Sequence, residues 1–347
     1  MSPTGRPTTR RASLRVRPLC ARSVLALLLW TPLCVHPGNL PTGLDLTEPS
    51  RLRIGIGDRM RLERDGSWVR TLDEMERLGV RPDFVQIWLP HGWQESWLPR
   101  SDLDDMAQRG VVPVVVHYFF GDFISKERVE AQRAAWLRSI ERMADRIRMA
   151  GPVLVVLEPE FNIAPPPGET AITRWPGFSS YLREAAQMIR SRAPNARVGV
   201  CVGDFAGPPY LEPVLGPVAD DLDFLGFQEM RAATVPEAGS EAYLRVGRSA
   251  TDFARYLERA FGRPLLLGYV AVSSHARWEE EQASALRDLL AHRRDLLDAG
   301  VFGWVYFQLF DDPRHTGFFA AAEPHFGLVT ANGRPKPALD VFRELAR

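Results

Sequence analysis

Eight short runs of apolar and β-branched residues recur along this chain, each followed by a segment with helical character: Leu52–Gly57, Phe84–Leu89, Val112–Tyr118, Val153–Leu157, Arg197–Val202, Phe224–Gln228, Pro264–Val270 and Phe302–Phe307. Continuous apolar runs are strands buried on both faces, as in parallel sheets covered by helices. Between them Trp136, Ile140, Met143 and Ile147 repeat at helical spacing, as do Leu182, Ala185 and Ile189. Ser125 is placed to cap the first of these helices, with Glu127 in the first turn where the helix dipole favours an acid. Eight strand–helix units in 347 residues predict an α/β chain folded as a single (β/α)8 TIM barrel, with an open doubly wound sheet as the alternative. Gly55-Ile-Gly57 after the first strand hints at a phosphate loop but lacks the third glycine and the downstream ribose-binding acid.

The first 40 residues differ from the rest. They hold six arginines and no acid, whereas the remainder carries 37 basic against 43 acidic residues. A mildly acidic body argues against nucleic acid as a partner. The apolar run from Ser23 to Val35 is short for a membrane span and fits a signal-peptide core, and Thr9-Arg10-Arg11-Ala12-Ser13-Leu14-Arg15 resembles a twin-arginine export signal. We therefore expect residues 1–36 to be a signal peptide or signal anchor, 37–50 a linker and 51–347 the barrel, with the protein exported. Contact with a membrane is expected only through an uncleaved leader. Cys20 and Cys34 lie in the leader, so Cys201 alone remains in the body and no internal disulfide framework is expected after leader removal. Nothing in the sequence speaks to oligomeric state.

In a barrel, chemistry collects where strands end and loops begin. Strand one runs into Asp58 and Arg59; strand two into Trp88, His91, Trp93 and Trp97; strand three into His117, Tyr118 and Asp122. Strand four leads to Glu158, Glu160 and Asn162, strand five to Asp204, strand six to Gln228, Glu229 and Arg231, strand seven to Tyr269, Ser273 and Ser274, and strand eight to Trp304, Gln308, Asp311 and Asp312. Aromatics interleaved with carboxylates and amides suit a saccharide cleft, because sugar rings stack C–H faces on aromatic rings while their hydroxyls need paired donors and acceptors. From this set Trp88, His91, Trp93, His117, Tyr118, Asn162, Asp204, Gln228, Tyr269, Trp304, Gln308 and Asp311 are candidate substrate contacts. For Trp88 and Trp304, as for Trp136, a place within a strand or helix favours a core role over a ligand contact.

The stretch Val153-Leu-Val-Val-Leu-Glu-Pro-Glu-Phe-Asn162 carries the strongest catalytic signal. A carboxylate directed into a barrel mouth is costly to desolvate and tends to be kept for chemistry. In an extended strand Glu158 and Glu160 would share one face, and their proximity would raise one pKa, giving a protonated donor beside an ionised partner. The bland alternative is that a carboxylate here pairs with Arg59 or Arg231.

These residues resemble the retaining glycoside hydrolases of the large barrel clan that includes β-mannanases, β-xylosidases and cellulases. Pro159-Glu160-Phe161-Asn162 is similar to the His-Glu-Met-Asn segment of mannanase-type members, and the resemblance implies Glu160 as acid/base. The tail from Gly300-Val-Phe-Gly-Trp304 through Asp311-Asp312 to Phe326-Gly-Leu-Val-Thr-Ala-Asn-Gly-Arg-Pro-Lys-Pro-Ala338 is similar to the clan's last strand and closing helix, which implies a sugar-lining role for Trp304. The clan's nucleophile is a Glu ending strand seven, but here Pro264-Leu-Leu-Leu-Gly-Tyr-Val-Ala-Val-Ser-Ser274 contains no acid. Glu229 or Glu158 is then the expected partner carboxylate. Chitinase-like hydrolases offer a looser likeness through Glu158-Pro159-Glu160, Gln228-Glu229 and Trp304, with the substrate's own amide as nucleophile. The expected activity is hydrolysis of a poly- or oligosaccharide without cofactor or metal. The alternatives are a barrel that binds sugar without turnover and a metal-dependent hydrolase using His91, His117, Glu158 and Asp312.

Overall fold

The structure is a computed structural model describing residues 44–47, 49–57, 68–148, 151–203 and 210–347. Eight parallel strands close into a barrel in sequence order. They are β1 (Arg53–Gly57), β2 (Phe84–Pro90), β3 (Val112–Tyr118), β4 (Val153–Leu157), β5 (Ala196–Val202), β6 (Phe224–Arg231), β7 (Leu265–Val272) and β8 (Val301–Tyr306). Pairing of β1 with both β2 and β8 closes the ring, which rules out the open doubly wound sheet. The described helices are α1 (Trp68–Arg77), α2 (Arg100–Gln108), α3 (Lys126–Ile147), α4 (Phe178–Arg192), α5 (Glu212–Leu215), α6 (Val246–Phe261), α7 (Glu279–Ala291), α8 (Arg293–Asp298) and α9 (Pro337–Leu345). The expected leader and most of the expected linker lie outside the described residues.

Each strand has one apolar face inside the barrel and one beneath the helices. Trp136, Ile140, Met143 and Ile147 of α3 and Leu182, Ala185 and Ile189 of α4 are buried against the outer strand faces, as their spacing predicted. Ser125 does cap α3, its Oγ accepting from Arg128 N at 3.3 Å. Inside, Phe84, Phe224 and Phe302 form a plug, with Phe302 meeting the other two rings nearly edge-on at 6.3 and 5.9 Å. Glycines on neighbouring strands make room for those rings. A Cβ on Gly199 would lie 2.6 Å from the Phe224 ring and one on Gly303 2.5 Å from the Phe84 ring, whereas one on Gly57 would lie 2.2 Å from the Phe307 carbonyl oxygen. Gly57 therefore serves close strand approach at the barrel seam.

Register irregularities govern the working end. The β6–β7 ladder shifts between Phe227 and Gln228, and the β7–β8 ladder shifts between Leu267 and Val270. On β7, Leu265, Leu267, Val270 and Val272 pack outward, whereas Leu266, Tyr269 and Ala271 pack in the inner core. Strict alternation from Leu267 would send Tyr269 outward, under the helices. The irregularity reverses the parity and aims it into the barrel, the usual consequence of a bulge.

Gly199→Ala should therefore lower stability by about 1–3 kcal/mol, the cost of overpacking a filled core, read by urea unfolding. Gly239→Ala, where an added Cβ would meet nothing within 4 Å, should leave the midpoint almost unchanged.

Candidate functional site

The pivot of the barrel mouth lies just past β4. Glu158 and Glu160 both have positive φ, 41° and 61°, conformations that cost a β-carbon-bearing residue free energy unless surrounding contacts impose them. The extended geometry expected for Glu158-Pro159-Glu160 is thus replaced by a left-handed turn that sends the two carboxyls apart. Glu158 faces outward between β3 and α3. Its Oε1 accepts from Trp136 Nε1 at 2.7 Å and pairs with His117 Nδ1 at 3.0 Å, while the amides of Phe119 and Phe120 donate to it at 3.4 and 3.1 Å. A buried carboxylate so fully engaged is an anchor, and it has no surface free to tune Glu160.

The same network claims other expected contacts. His117, fully buried, pairs through Nε2 with Ser139 Oγ at 2.9 Å, and Trp93 donates its indole N–H to that oxygen at 3.0 Å. Arg142 stacks over Trp93 at 4.1 Å. His117 and Trp93 thus bind α3 to the barrel wall and cannot reach a ligand. Asn162 grips the end of β5 instead of substrate: its Nδ2 donates to the Gly203 carbonyl and its Oδ1 accepts from the Gly203 amide, both at 2.8 Å. Trp304 is fully buried on the helix side of β8, its ring 5.5 Å from Phe342 of α9, because its parity is opposite to that of Val305. Asp311 accepts from Lys336 Nζ at 2.6 Å and from the Gly327 amide at 2.9 Å, closing the β8 loop onto the start of α9. Glu229 is turned under the helices, where it pairs with Arg231, which also donates to the Tyr243 carbonyl at 2.9 Å. The arginine expected as the bland partner of Glu158 or Glu160 is thus taken by Glu229. Asp204, like Asp58 and Arg59, lies outside the described residues. His91 is exposed, edge-on to Phe119 at 4.7 Å.

Five sequence candidates do converge inside the mouth: Glu160, Gln228, Tyr269, Trp88 and Tyr118. The Tyr269 hydroxyl donates to Glu160 Oε1 at 2.5 Å. Trp88 meets Tyr118 and Tyr269 edge-on, each at 5.4 Å, and contacts Phe307 at 5.9 Å. Its indole N–H donates to Gln86 Oε1 at 3.1 Å, and Gln86 Nε2 donates across the barrel to the Gly268 carbonyl at 2.8 Å, so the floor beneath the site is braced. Gln228 is buried with its Oε1 unpartnered, and Gln308 is buried with neither amide atom partnered. Three further residues belong to the mouth. Phe307 fills the place expected of Trp304. Asp122, which Tyr118 contacts with its hydroxyl, sits on the 3-10 turn Gly121–Phe123 after β3, and Glu323 lies in the long loop after β8. Continued alternation past Val305 would have found Phe307; nothing in the sequence singles out Glu323.

The electrostatics follow from this packing. Burial pushes the Glu160 carboxyl up to about 7; hydrogen bonds from Tyr269 and Gln228 oppose that rise, and the charges of Asp122 and Glu323 add to it. Burial, with Glu160 alongside, pushes the Tyr269 phenol well above its ordinary value, so it remains a donor. The metal-ligand set His91, His117, Glu158 and Asp312 is not brought together. Among the described residues no group of three or more His, Cys, Asp or Glu side chains is placed to hold a metal ion.

The raised Glu160 carboxyl makes stability pH-dependent. A carboxyl that keeps its proton to about 7 when folded, against 4.5 ordinarily, favours the fold below pH 4.5 and loses that advantage as pH rises through 7. Glu160→Gln should remove the dependence, matching wild type at pH 4 and exceeding it at pH 8 by up to about 3 kcal/mol. Denaturant unfolding at the two pH values checks this; a difference that does not grow with pH contradicts it.

No protein-family model and no curated protein matches the sequence. Solved structures do. The GH5_18 protein from Bifidobacterium longum subsp. longum, in complex with Manb1-4GlcNAc, is similar with TM-score 0.63 and 15% identity over 85% of this chain and 78% of that one. The exo-beta-1,4-mannosidase Op5Man5 from Opitutaceae bacterium strain TAV5 gives TM-score 0.61 and 19% identity over 88% of this chain and 62% of that one. The beta-D-glucuronidase of Dictyoglomus thermophilum gives 0.61 and 13% over 86% of this chain, which spans about half (51%) of that protein's length. At such identities the shared feature is the fold, the (β/α)8 barrel of these glycoside hydrolases.

Proposed function

We propose that this protein is a glycoside hydrolase acting on a poly- or oligosaccharide, with Glu160 as general acid. One observation carries the proposal: a recessed carboxyl at the C-terminal rim of a parallel barrel, held by a phenol donor at 2.5 Å, where burial pushes its pKa up to about 7. A general acid works best with a pKa near the working pH, and the opposition of burial to two hydrogen-bond donors produces that balance. Once Glu160 has protonated the glycosidic oxygen, Tyr269 and Gln228 are in place to stabilise the carboxylate left behind. Trp88, Tyr118 and Phe307 offer ring edges and faces to sugar C–H groups, and the unpartnered amide oxygen of Gln228 suits a hydroxyl group. Structural similarity to mannosidases and glucuronidases supports the substrate class.

One observation favours a second reading. Among the described residues β7 presents Tyr269, with no carboxylate, to the mouth, as a barrel that binds sugar without cleaving it would allow. Export is part of the proposal and rests on the arginine-rich leader. Among the described residues no helix is long and apolar enough to cross a membrane.

On a panel of aryl glycosides with poor leaving groups, Glu160→Gln should lower kcat by about 100- to 10,000-fold while sugar binding, followed by calorimetry, persists. Unchanged turnover contradicts the role of Glu160. Binding by the wild-type protein with no cleavage of any glycan selects the second reading.

A further inference from the structure

Acid-assisted hydrolysis requires a second group to act on the incoming nucleophile, and the described structure turns both expected partners, Glu158 and Glu229, toward the helices. We propose that Asp122 is the second catalytic carboxylate, the general base that takes a proton from the attacking water while Glu160 protonates the leaving oxygen. This rests on the assignment of Glu160 above.

The geometry pairs the two residues through one anchor. The Glu158 carboxylate accepts the amides of Phe119 and Phe120, which fixes the chain two residues before Asp122; through its own backbone the same residue fixes the chain two residues before Glu160. Gly121, at φ 64°, then turns the chain so that Asp122 comes back onto the hydroxyl of Tyr118. Each carboxyl is thus clasped by a phenol, Asp122 by Tyr118 from β3 and Glu160 by Tyr269 from β7, and the Trp88 indole stands against both phenols at 5.4 Å. Two carboxyls from separate loops, with an indole between their supports, suit a pair spread widely enough to admit water. Inverting glycosidases keep their carboxyls about 6.5–9.5 Å apart for that purpose. Asp122 is only partly buried, so water can reach it. Glu323, the other acid whose charge reaches Glu160, is walled in: its Oε1 accepts the Phe319 amide at 2.9 Å, its Oε2 lies 3.5 Å from His315, and a Cβ on Gly317 would lie 2.6 Å from it.

The step balances as a hydrolysis. The Glu160 proton passes to the glycosidic oxygen as the C1–O bond breaks. Water oxygen bonds to C1 from the opposite face, and its proton passes to Asp122. Proton exchange with solvent then restores Glu160 as acid and Asp122 as base, and the products are one free sugar of inverted anomeric configuration and one alcohol.

The test uses the full chain and aryl glycosides with poor (methoxyphenyl) and good (dinitrophenyl) leaving groups. Asp122→Asn should lower kcat by about 100-fold or more on both, because water activation is needed for either, while Glu160→Gln should spare the dinitrophenyl substrate. Proton NMR of the first product formed by wild-type enzyme should show inversion, a readout that does not depend on whether any variant folds. Retention, or full activity in Asp122→Asn, overturns the role of Asp122 and leaves Glu160 standing. Equal loss on both substrates in Glu160→Gln contradicts Glu160 as acid, and a wild-type chain that cleaves no glycoside overturns both assignments.

Discussion

The buried Glu158 carboxylate decides what the mouth of this barrel can present. Its oxygens gather His117, Trp136 and two amides from the loop after β3, so β3, β4 and α3 are locked at one point. A desolvated carboxylate is tolerated only when donors surround it, and once surrounded it holds its neighbours rigidly. The left-handed backbone at Glu158 and Glu160 is a consequence. Alternation along β4 would carry Glu158 inward after Leu154 and Val156, but the turn directs it to the wall and leaves Glu160 as the acid that enters the cleft. Asn162, clasping Gly203, fixes the far side of the same turn.

From that placement the chemistry of Glu160 follows. The carboxyl is desolvated, with Tyr269 as its close donor, so its proton affinity is set by lost water more than by any one charge. Tyr269 reaches it only because β7 breaks step with both neighbours. Two of the three register irregularities flank Tyr269, where the site is built, and the third lies at Phe302 in the plug; the rest of the barrel, with its close-approach glycines, acts as scaffold.

Periodicity made the scaffold legible in the sequence. Strands buried on both faces write themselves as apolar runs, and the α3 and α4 stripes at helical spacing packed as expected. Inner against outer parity was only partly legible. Gln228 and Glu229 were both expected at the mouth, although adjacent strand residues must face opposite ways, and that rule alone separates them. Trp304 fell on the helix side although Phe302, two residues earlier, faces inward, because the β7–β8 register slips at Phe302; this leaves Phe307 at the mouth. Tyr269 points into the mouth, a placement that simple alternation would have denied, because the bulge is written in hydrogen-bond register and not in residue type. The left-handed turn at Glu158-Pro159-Glu160 carries no glycine to announce it, so an extended pair was the natural expectation. Trp93, His117 and Asn162 were drawn to the site by residue type, whereas their side chains are consumed by tertiary hydrogen bonds that no local pattern reveals.

The central claim is that Glu160 is a neutral acid poised at the mouth. The most direct measurement is the titration of its carboxyl carbon by carbon-13 NMR in the wild-type protein, assigned by comparison with Glu160→Gln. The account predicts a midpoint of about 7. A midpoint at the ordinary 4.5 would mean that the carboxyl is ionised and solvated at neutral pH, and would contradict it.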